Sequence, residues 1–233
     1  MILPAYNEEI LIEKNTLKIK AEFDKIGKKY EILIVEESND KTPEISEKLA
    51  KKHKEIIHFH SDKRLGKGGA IEKGIEISKG NKIIFMDIDL STSLDITKEV
   101  IEKLEKYDIV ITSRYNKKAK IKRSFTRSFA GWGFSFLARL ILRTNLKDTK
   151  CGYKAFRKDV VEKIIKFVDN KGWFWDTELM IYAERMGYSI NEMPISWYER
   201  KEGNVKIFSN TLDMMSNLLR LRFKITGKKF TKN

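Results

Sequence analysis

The strongest constraint on this chain is a repeated change of hydrophobic period along its first half. Short, β-branched apolar runs at Met1–Leu3, Glu31–Val35, Ile56–Phe59, Lys82–Met86 and Ile109–Thr112 alternate with helix-patterned segments at Glu8–Ile26, Pro43–Lys52, Gly68–Ser78 and Asp95–Lys106. Strands alternating with helices of this length predict βαβ units, and therefore a mostly parallel sheet with helices on both faces. Beyond Thr112 the alternation stops. The spacing then predicts a basic aromatic helix over Ser124–Leu142, a strand at Gly152–Arg157 and a helix at Asp159–Phe167. An aromatic, acidic segment at Trp173–Glu178 leads into a helix ending at Met186, followed by a strand at Ile190–Trp197 and a last helix over Ile207–Ile225. No repeat, low-complexity stretch or linker interrupts the 233 residues, so one domain is expected.

Composition narrows the class. With 41% hydrophobic and 34% charged residues the chain is globular in character and not a disordered one. A single cysteine, Cys151, excludes a disulfide scaffold and a cysteine-based zinc site, and suits a reducing compartment. The longest apolar stretch, Phe129–Leu142, is interrupted by Arg139 and falls short of the roughly 18 to 20 residues needed to span a bilayer. Lying on a membrane surface stays open. The net charge of +14 is concentrated in two acid-free stretches. Between Ile109 and Lys147 there are ten basic residues and no Asp or Glu, and after Asp213 six more. Such patches suit nucleic acid, an anionic membrane surface or a phosphate-rich ligand.

In open α/β sheets ligands bind at the carboxyl ends of the strands, and the polar clusters of this chain fall there. Asp87-Ile88-Asp89 closes an apolar strand, and two carboxylates two residues apart can share a hard cation such as Mg²⁺ or Mn²⁺. Gly66-Lys67-Gly68-Gly69 opens a helix, either as a phosphate cradle built from backbone N–H groups or as a tight turn. It is no Walker A motif, and strand one is not followed by the dinucleotide fingerprint. The histidines His53, His58 and His60 have no metal-binding spacing and read as strand or surface filler. Asp176 and Glu178 beside Trp173, Phe174 and Trp175 suit a sugar held between aromatic faces and carboxylates, or ordinary core packing. Two helical stripes, Phe125-Phe129-Trp132-Phe136-Leu140 and Phe208-Leu212-Met215-Leu219, are either core or the apolar sides of interfacial helices with basic flanks.

Taken in order, Pro4-Ala5-Tyr6-Asn7-Glu8, Glu36-Glu37, Gly66-Lys67-Gly68 and Asp87-Ile88-Asp89-Leu90 resemble a family 2 glycosyltransferase. Asp148-Thr149-Lys150-Cys151-Gly152-Tyr153-Lys154-Ala155-Phe156 and Phe174-Trp175-Asp176-Thr177-Glu178-Leu179 resemble the dolichyl-phosphate sugar synthases, the glucosyl branch first and the mannosyl branch close behind. The likeness runs from Ile2 to about Ile225. It implies an α/β chain with a single type A glycosyltransferase fold, Rossmann-like and mostly parallel, plus a C-terminal amphipathic helix. Residues 1–206 would be the catalytic domain and 207–233 a basic helix and tail at the membrane surface.

The implied activity is inverting transfer of a hexose from UDP-glucose or GDP-mannose to a polyprenyl (dolichyl) phosphate, on the cytoplasmic face of the membrane. Pro4, Tyr6, Glu8, Glu36 and Asp40 would then lie around the base and ribose, with Lys67 and Lys206 near the donor diphosphate. Asp87 and Asp89 would take Mg²⁺ or Mn²⁺. Arg114 and Arg127 match basic residues near the acceptor phosphate, with Lys122 and Arg123 as the next choice, and Asp176 and Glu178 complete the catalytic set. Two departures stand out: Glu36-Glu37-Ser38-Asn39-Asp40 replaces the usual Asp-Asp-Gly-Ser-Thr-Asp turn, and Ser91 stands where mannosyl synthases often carry Gln. Elementary chemistry agrees with the resemblance. A phosphate monoester is largely ionised near neutrality, with a second pKa of about 6, and needs cations and a metal more than a general base. The rivals are a family 2 enzyme with a soluble or cell-surface glycan acceptor, which would need a base from Asp176 or Glu178, and a non-catalytic basic membrane or nucleic-acid module. An acidic cleft floor of Glu36, Glu37, Asp87 and Asp89 argues against nucleic acid.

Overall fold

In chain order the elements are β1 (Ile2–Ala5), α1 (Ile12–Ile26), β2 (Ile32–Glu36), α2 (Thr42–Lys52), β3 (Ile56–His60), α3 (Gly66–Ile77), β4 (Lys82–Met86) and α4 (Thr97–Lys103). There follow β5 (Ile109–Ser113), β6 (Lys120–Lys122), α5 (Phe125–Leu142), β7 (Tyr153–Arg157), α6 (Lys158–Ile164), α7 (Trp175–Arg185), β8 (Ile190–Pro194), β9 (Ser196–Tyr198) and α8 (Ile207–Ile225). This computed structural model describes residues 1–122, 125–198, 207–228, 230 and 231, without the side chains of 125–127, 129, 130 and 207–212.

The main sheet runs β3-β2-β1-β4-β7-β5-β8. Every pair in it is parallel except those of β7, which is antiparallel to both β4 and β5. Alternate side chains point to opposite faces of a strand, and here each face has its own core. Ile2, Leu33, Val35, Ile83, Phe85, Ile109, Ile111 and Phe156 pack with α3 and α5 through α8. Leu3, Ile32, Ile34, Ile84, Met86, Val110, Tyr153 and Ala155 pack with α1, α2 and α4. The expected α/β sheet with helices on both faces is therefore present.

Two local readings differ. The helix expected from Glu8 begins only at Ile12, because Glu8 is held in a turn, its carbonyl accepting from Leu11 and Ile12 and its N–H given to Thr42 Oγ1. The single strand expected at Ile190–Trp197 splits into β8 and β9, and β9 leaves the main sheet to pair with β6. The aromatic stripe of α5, left open by the sequence between core and interface, faces away from the core wherever its side chains are described, those of Phe125 and Phe129 lying outside the described residues. Trp132, Phe136 and Leu140 are all more than half exposed, while Ala138 and Leu142 face the core beside Leu218, Leu221 and Ile225 of α8. Helix α8 therefore packs into the same core as α3, α6 and α7.

Helix α3 lies unusually close to α7. A Cβ at Gly68 would stand 2.4 Å from the Trp175 ring, whereas one at Gly133 in α5 would meet nothing within 4 Å. Gly68→Ala should accordingly destabilise the protein by about 1–3 kcal/mol through overpacking. Gly133→Ala should be neutral or stabilising by up to about 1 kcal/mol, the difference in helix propensity. Urea unfolding of both variants checks this; a stable Gly68→Ala protein would contradict the close approach.

Candidate functional site

The site forms at the carboxyl edge of the sheet, where the loop after β1 is tied to the loop after β2. Asn7, in the left-handed region at φ 55°, gives its N–H to Ser38 Oγ (2.9 Å) and accepts from the Asn39 N–H through Oδ1 (3.0 Å). The Glu8 N–H goes to Thr42 Oγ1 (2.8 Å), the Lys41 N–H to Glu9 Oε2 (3.1 Å), and Asp40 accepts from the Glu9 and Thr42 N–H groups. Tyr6 is exposed on this rim with the Arg64 guanidinium 3.4 Å above its ring centroid. Pro4 lies within β1, half-buried and opposite Val35.

Beneath the rim Glu36 is fully buried. Its Oε1 accepts from His58 Nε2 (2.9 Å) and His60 Nδ1 (2.7 Å), and its Oε2 from the Ser38 N–H (2.8 Å). Burial by itself would raise this carboxyl, but the two histidines and the Ser38 amide hold it below its ordinary value. The histidines read as filler are thus the partners of a predicted site residue. Glu37 accepts from the Leu65 and Gly66 N–H groups, and the Lys171 carbonyl takes those of Gly68 and Gly69 (2.8 and 3.2 Å). The glycine run is the first turn of α3, and the Gly66, Gly68 and Gly69 amides are bonded inside the protein, which speaks against the phosphate-cradle reading.

Asp87 and Asp89 stand just past β4. Asp87 accepts from Lys67 Nζ at 2.7 Å, and its side chain is 41% exposed. Its carboxylate lies directly against Gly152, where any Cβ would come within 1.9 Å of Oδ2. Asp89 is oriented by Ser91, which donates to it from both N–H (2.9 Å) and Oγ (2.6 Å). From α1 the buried Asn15 holds the Ile88 carbonyl between the two aspartates (2.8 Å). Burial, together with the charges of Asp89, Asp40 and Asp87, pushes the Glu8 carboxyl up to about 7. Three aspartates thus act on Glu8, and of these Asp87 and Asp89, two residues apart past β4, offer oxygen donors that suit a hard divalent cation. Among the described residues no three His, Cys, Asp or Glu side chains form a ready cage. A cation on Asp87 and Asp89 would complete its shell with ligand oxygens, as Mg²⁺ and Mn²⁺ do with substrate phosphates.

Behind this edge runs a chain of alternating charges. Lys154 of β7 is fully buried and donates to Asp176 Oδ1 (2.6 Å); Lys67 bridges Asp176 Oδ2 (3.3 Å) and Asp87. Burial would raise the Asp176 carboxyl, but Lys154, Lys67 and Lys150 overcome it and hold it at about 2. Those same carboxylates keep Lys67 above the usual lysine range despite its burial. Glu178, two residues on, is turned to the Asn170 N–H (2.9 Å) and Lys224 Nζ (3.4 Å). Arg114 is bound in a two-pronged pair with buried Asp148, Nε to Oδ2 at 2.8 Å and Nη2 to Oδ1 at 2.9 Å. Of the three aromatic residues before Asp176, Phe174 and Trp175 are core, and Trp173 is exposed beside Lys67.

The structure therefore gathers Glu8, Asp40, Asp87 and Asp89, and joins Lys67 and Asp176 to Asp87. It sets Glu178 toward α8 and Arg114 against Asp148, and leaves Lys122 exposed over the Tyr198 ring. Arg123, Lys206 and the Arg127 side chain lie outside the described residues. Asn15, Arg64, Lys150 and Lys154 join the site without having been given a role of their own. A signal existed for two of them: Asn15 interrupts the apolar stripe Ile12-Thr16-Ile19-Phe23, and Lys154 interrupts an apolar strand.

Residues 1–165 match the family model described as Glycosyl transferase family 2. The chain is 34% identical over 232 residues to the glycosyltransferase AglD of Haloferax volcanii, covering 97% of this chain but only 37% of that protein. It is 29% identical over 240 residues to a dolichyl-phosphate beta-glucosyltransferase of Dictyostelium discoideum, covering 96% of this chain and 73% of that one. Among solved structures, glucosyl-3-phosphoglycerate synthase of Mycobacterium tuberculosis in complex with Mn²⁺, uridine diphosphate and glucosyl-3-phosphoglycerate superposes with a TM-score of 0.60 at 18% identity, over 94% of this chain and 75% of that one. At that identity the likeness shows the fold, the type A glycosyltransferase fold.

The charge chain makes a stability prediction. Asp176→Ala leaves Lys154 buried without its carboxylate and should cost about 3–5 kcal/mol. Adding Lys154→Met should recover part of that loss in guanidinium unfolding. The Asp176 carboxyl is lower in the folded state than the ordinary 3.8. Its contribution is therefore complete above about pH 4 and lost as pH falls toward 2. The advantage of the wild type over Asp176→Asn should shrink across that window; a constant difference would contradict the ion pairing.

Proposed function

The chain belongs to glycosyl transferase family 2, and on that premise we propose that it moves a hexose, with inversion, from a nucleotide-sugar to the phosphate of a polyprenyl (dolichyl) carrier. The observation that carries this reading is the state of the two carboxylates a hydroxyl acceptor would need. A general base works best with a pKa near the operating pH. Asp176 is buried between two lysines at about 2, and Glu178 is committed to Asn170 and Lys224. An acceptor that is already an anion needs neither. Glu8, though raised to about 7, sits among Asp40, Asp87 and Asp89, where a bound cation would draw it down again.

Tyr6, Glu8 and Asp40, with Pro4 behind them, would line the base and ribose, and Glu36 would brace that rim through Ser38, His58 and His60. Lys67 would face the donor diphosphate. Asp87 and Asp89 would hold Mg²⁺ or Mn²⁺, which when bound neutralises charge on the departing nucleoside diphosphate. With its guanidinium spent on Asp148, Arg114 would position the 148–152 loop; Arg127 keeps the proposed place at the acceptor phosphate and Lys206 that at the diphosphate. The glucosyl relative favours glucose over mannose as the hexose transferred.

Residues 1–206 would carry the chemistry, and the 207–233 segment would share with α5 the task of meeting an anionic membrane on its cytoplasmic face. No helix among the described residues is long and apolar enough to cross a membrane. Exposed Trp132, Phe136 and Leu140 on α5 and Leu219 and Phe223 on α8 support surface binding. They lie in the two acid-free basic stretches, and basic residues at an anionic surface contribute roughly 1 kcal/mol each.

The direct test supplies UDP-glucose or GDP-mannose, Mg²⁺ or Mn²⁺, and either polyprenyl phosphate or the unphosphorylated polyprenol, and reads released nucleoside diphosphate. Turnover is expected with the phosphate only and should vanish with a metal chelator. Acceptor kcat/KM should rise as pH passes about 6, where the phosphate takes its second charge, and level off above. Equal use of polyprenol would overturn the reading. The membrane role predicts co-sedimentation with anionic vesicles at low salt, release at high salt, and weaker binding by Trp132→Ala/Phe136→Ala. Equal binding to neutral vesicles would refute it.

A further inference from the structure

Three of the four cations around the charge chain have their own carboxylate: Lys154 has Asp176, Lys67 has Asp87 and Arg114 has Asp148. Lys150 has none within ion-pair distance among the described residues. Its ammonium gives one N–H to the Trp173 carbonyl and lies 5.9 Å from the Phe134 ring centroid. An ammonium carries three donors, so two remain without a protein acceptor among the described residues.

Its position is built. The Lys150 N–H donates to Asp148 Oδ1 (3.2 Å), the carboxylate that also holds Arg114. Two residues later Gly152 abuts Asp87. Through Trp173 the ammonium adjoins Lys67, whose Nζ stands 5.3 Å from that ring, and through Phe134 it adjoins α5, the helix with the exposed aromatic side chains. The odd positive charge therefore sits between the Lys67–Asp87 pair and the helix proposed to meet the membrane.

We infer that Lys150 binds a phosphate group during transfer, on its two free N–H donors, either the monoester of the acceptor or the diphosphate of the donor. This rests on the reading that the reaction joins a nucleotide-sugar to a lipid phosphate. The local charge agrees. Burial, with repulsion from Lys67, Lys154 and Arg114 against attraction by Asp176, pushes the Lys150 ammonium down to about 8. It is still mostly cationic at neutrality, and a phosphate dianion alongside it would relieve the excess of positive charge. A charged hydrogen bond to phosphate is among the stronger polar contacts a side chain makes.

The test uses the full chain with Lys150→Gln and Lys150→Arg, each substrate varied in turn. A rise of tenfold or more in acceptor KM for Lys150→Gln, with donor KM within twofold and most of the loss restored in Lys150→Arg, assigns the acceptor phosphate. A matching rise in donor KM with weaker nucleoside diphosphate binding assigns the diphosphate. Both constants within twofold of a working wild type overturn the inference. A second readout does not depend on turnover: acylation of Lys150 by a limiting amine reagent at pH 7.5, followed by mass spectrometry. Inorganic phosphate or pyrophosphate should slow labelling at Lys150 and not at exposed Lys117. If the wild type moves no sugar to polyprenyl phosphate, the functional reading fails on its own. Protection from acylation then decides the Lys150 site, and absence of protection sinks it.

Discussion

A lysine at the centre of a sheet is tolerated only where a carboxylate meets it, and in this protein that requirement organises the site. Lys154 pairs across β7 with Phe85 on one side and Ile111 on the other, with no exposed surface. Its ammonium needs Asp176, so the first turn of α7 must sit directly over the sheet. That position presses Trp175 onto Gly68 and leaves the second Asp176 oxygen facing Lys67. Lys67 in turn reaches Asp87. A single buried charge thus sets the helix that covers it and the edge where donor chemistry is expected. An uncompensated charge inside a protein costs far more than a pair, while a pair adds little net stability over packed hydrocarbon. The chain of charges is better understood as fixing geometry than as strengthening the fold.

The rim of the site follows another logic. The loops after β1 and β2 are joined by side chains capping backbone N–H groups, in Ser38, Thr42, Asp40, Glu9 and Asn7. Those side chains satisfy the backbone of an irregular segment that no sheet or helix could satisfy. The result is a preorganised edge beneath Tyr6 and Glu8, with Glu36 anchored below it by two histidines of the neighbouring strand.

Much of this was legible in the residues. Apolar runs marked nearly every strand, and the 3.6 period nearly every helix, to within a few positions, because a strand buried on both faces is a plain apolar run. The direction of β7 was not legible, since an apolar run carries no information about which way it enters the sheet. Asp87 and Asp89 could be placed from their position after β4, but the partners of Asp87 could not. Lys67 and Gly152 arrive from distant segments. His58 and His60 gave no signal of their own, because their carboxylate lies on the adjacent strand at register positions Ile34↔His58 and Glu36↔His60. Arg114 matches a basic residue expected near the acceptor phosphate, but its partner Asp148 lies thirty-four residues away in sequence, beyond any local pattern.

The placement of β7 also has a temporal side. β5 borders β7 and β8 but not β4, so the strands β3-β2-β1-β4 have no neighbour for the far edge of β4 until residues 153–157 exist. On a ribosome, that interval is the synthesis of everything from α4 through α5. Throughout it the run Ile83-Ile84-Phe85-Met86 is an open, apolar edge of the kind that recruits foreign strands. The strand that closes this edge is the one carrying Lys154. The newborn chain therefore gains protection from misassociation and the electrostatic core of its proposed site in the same event.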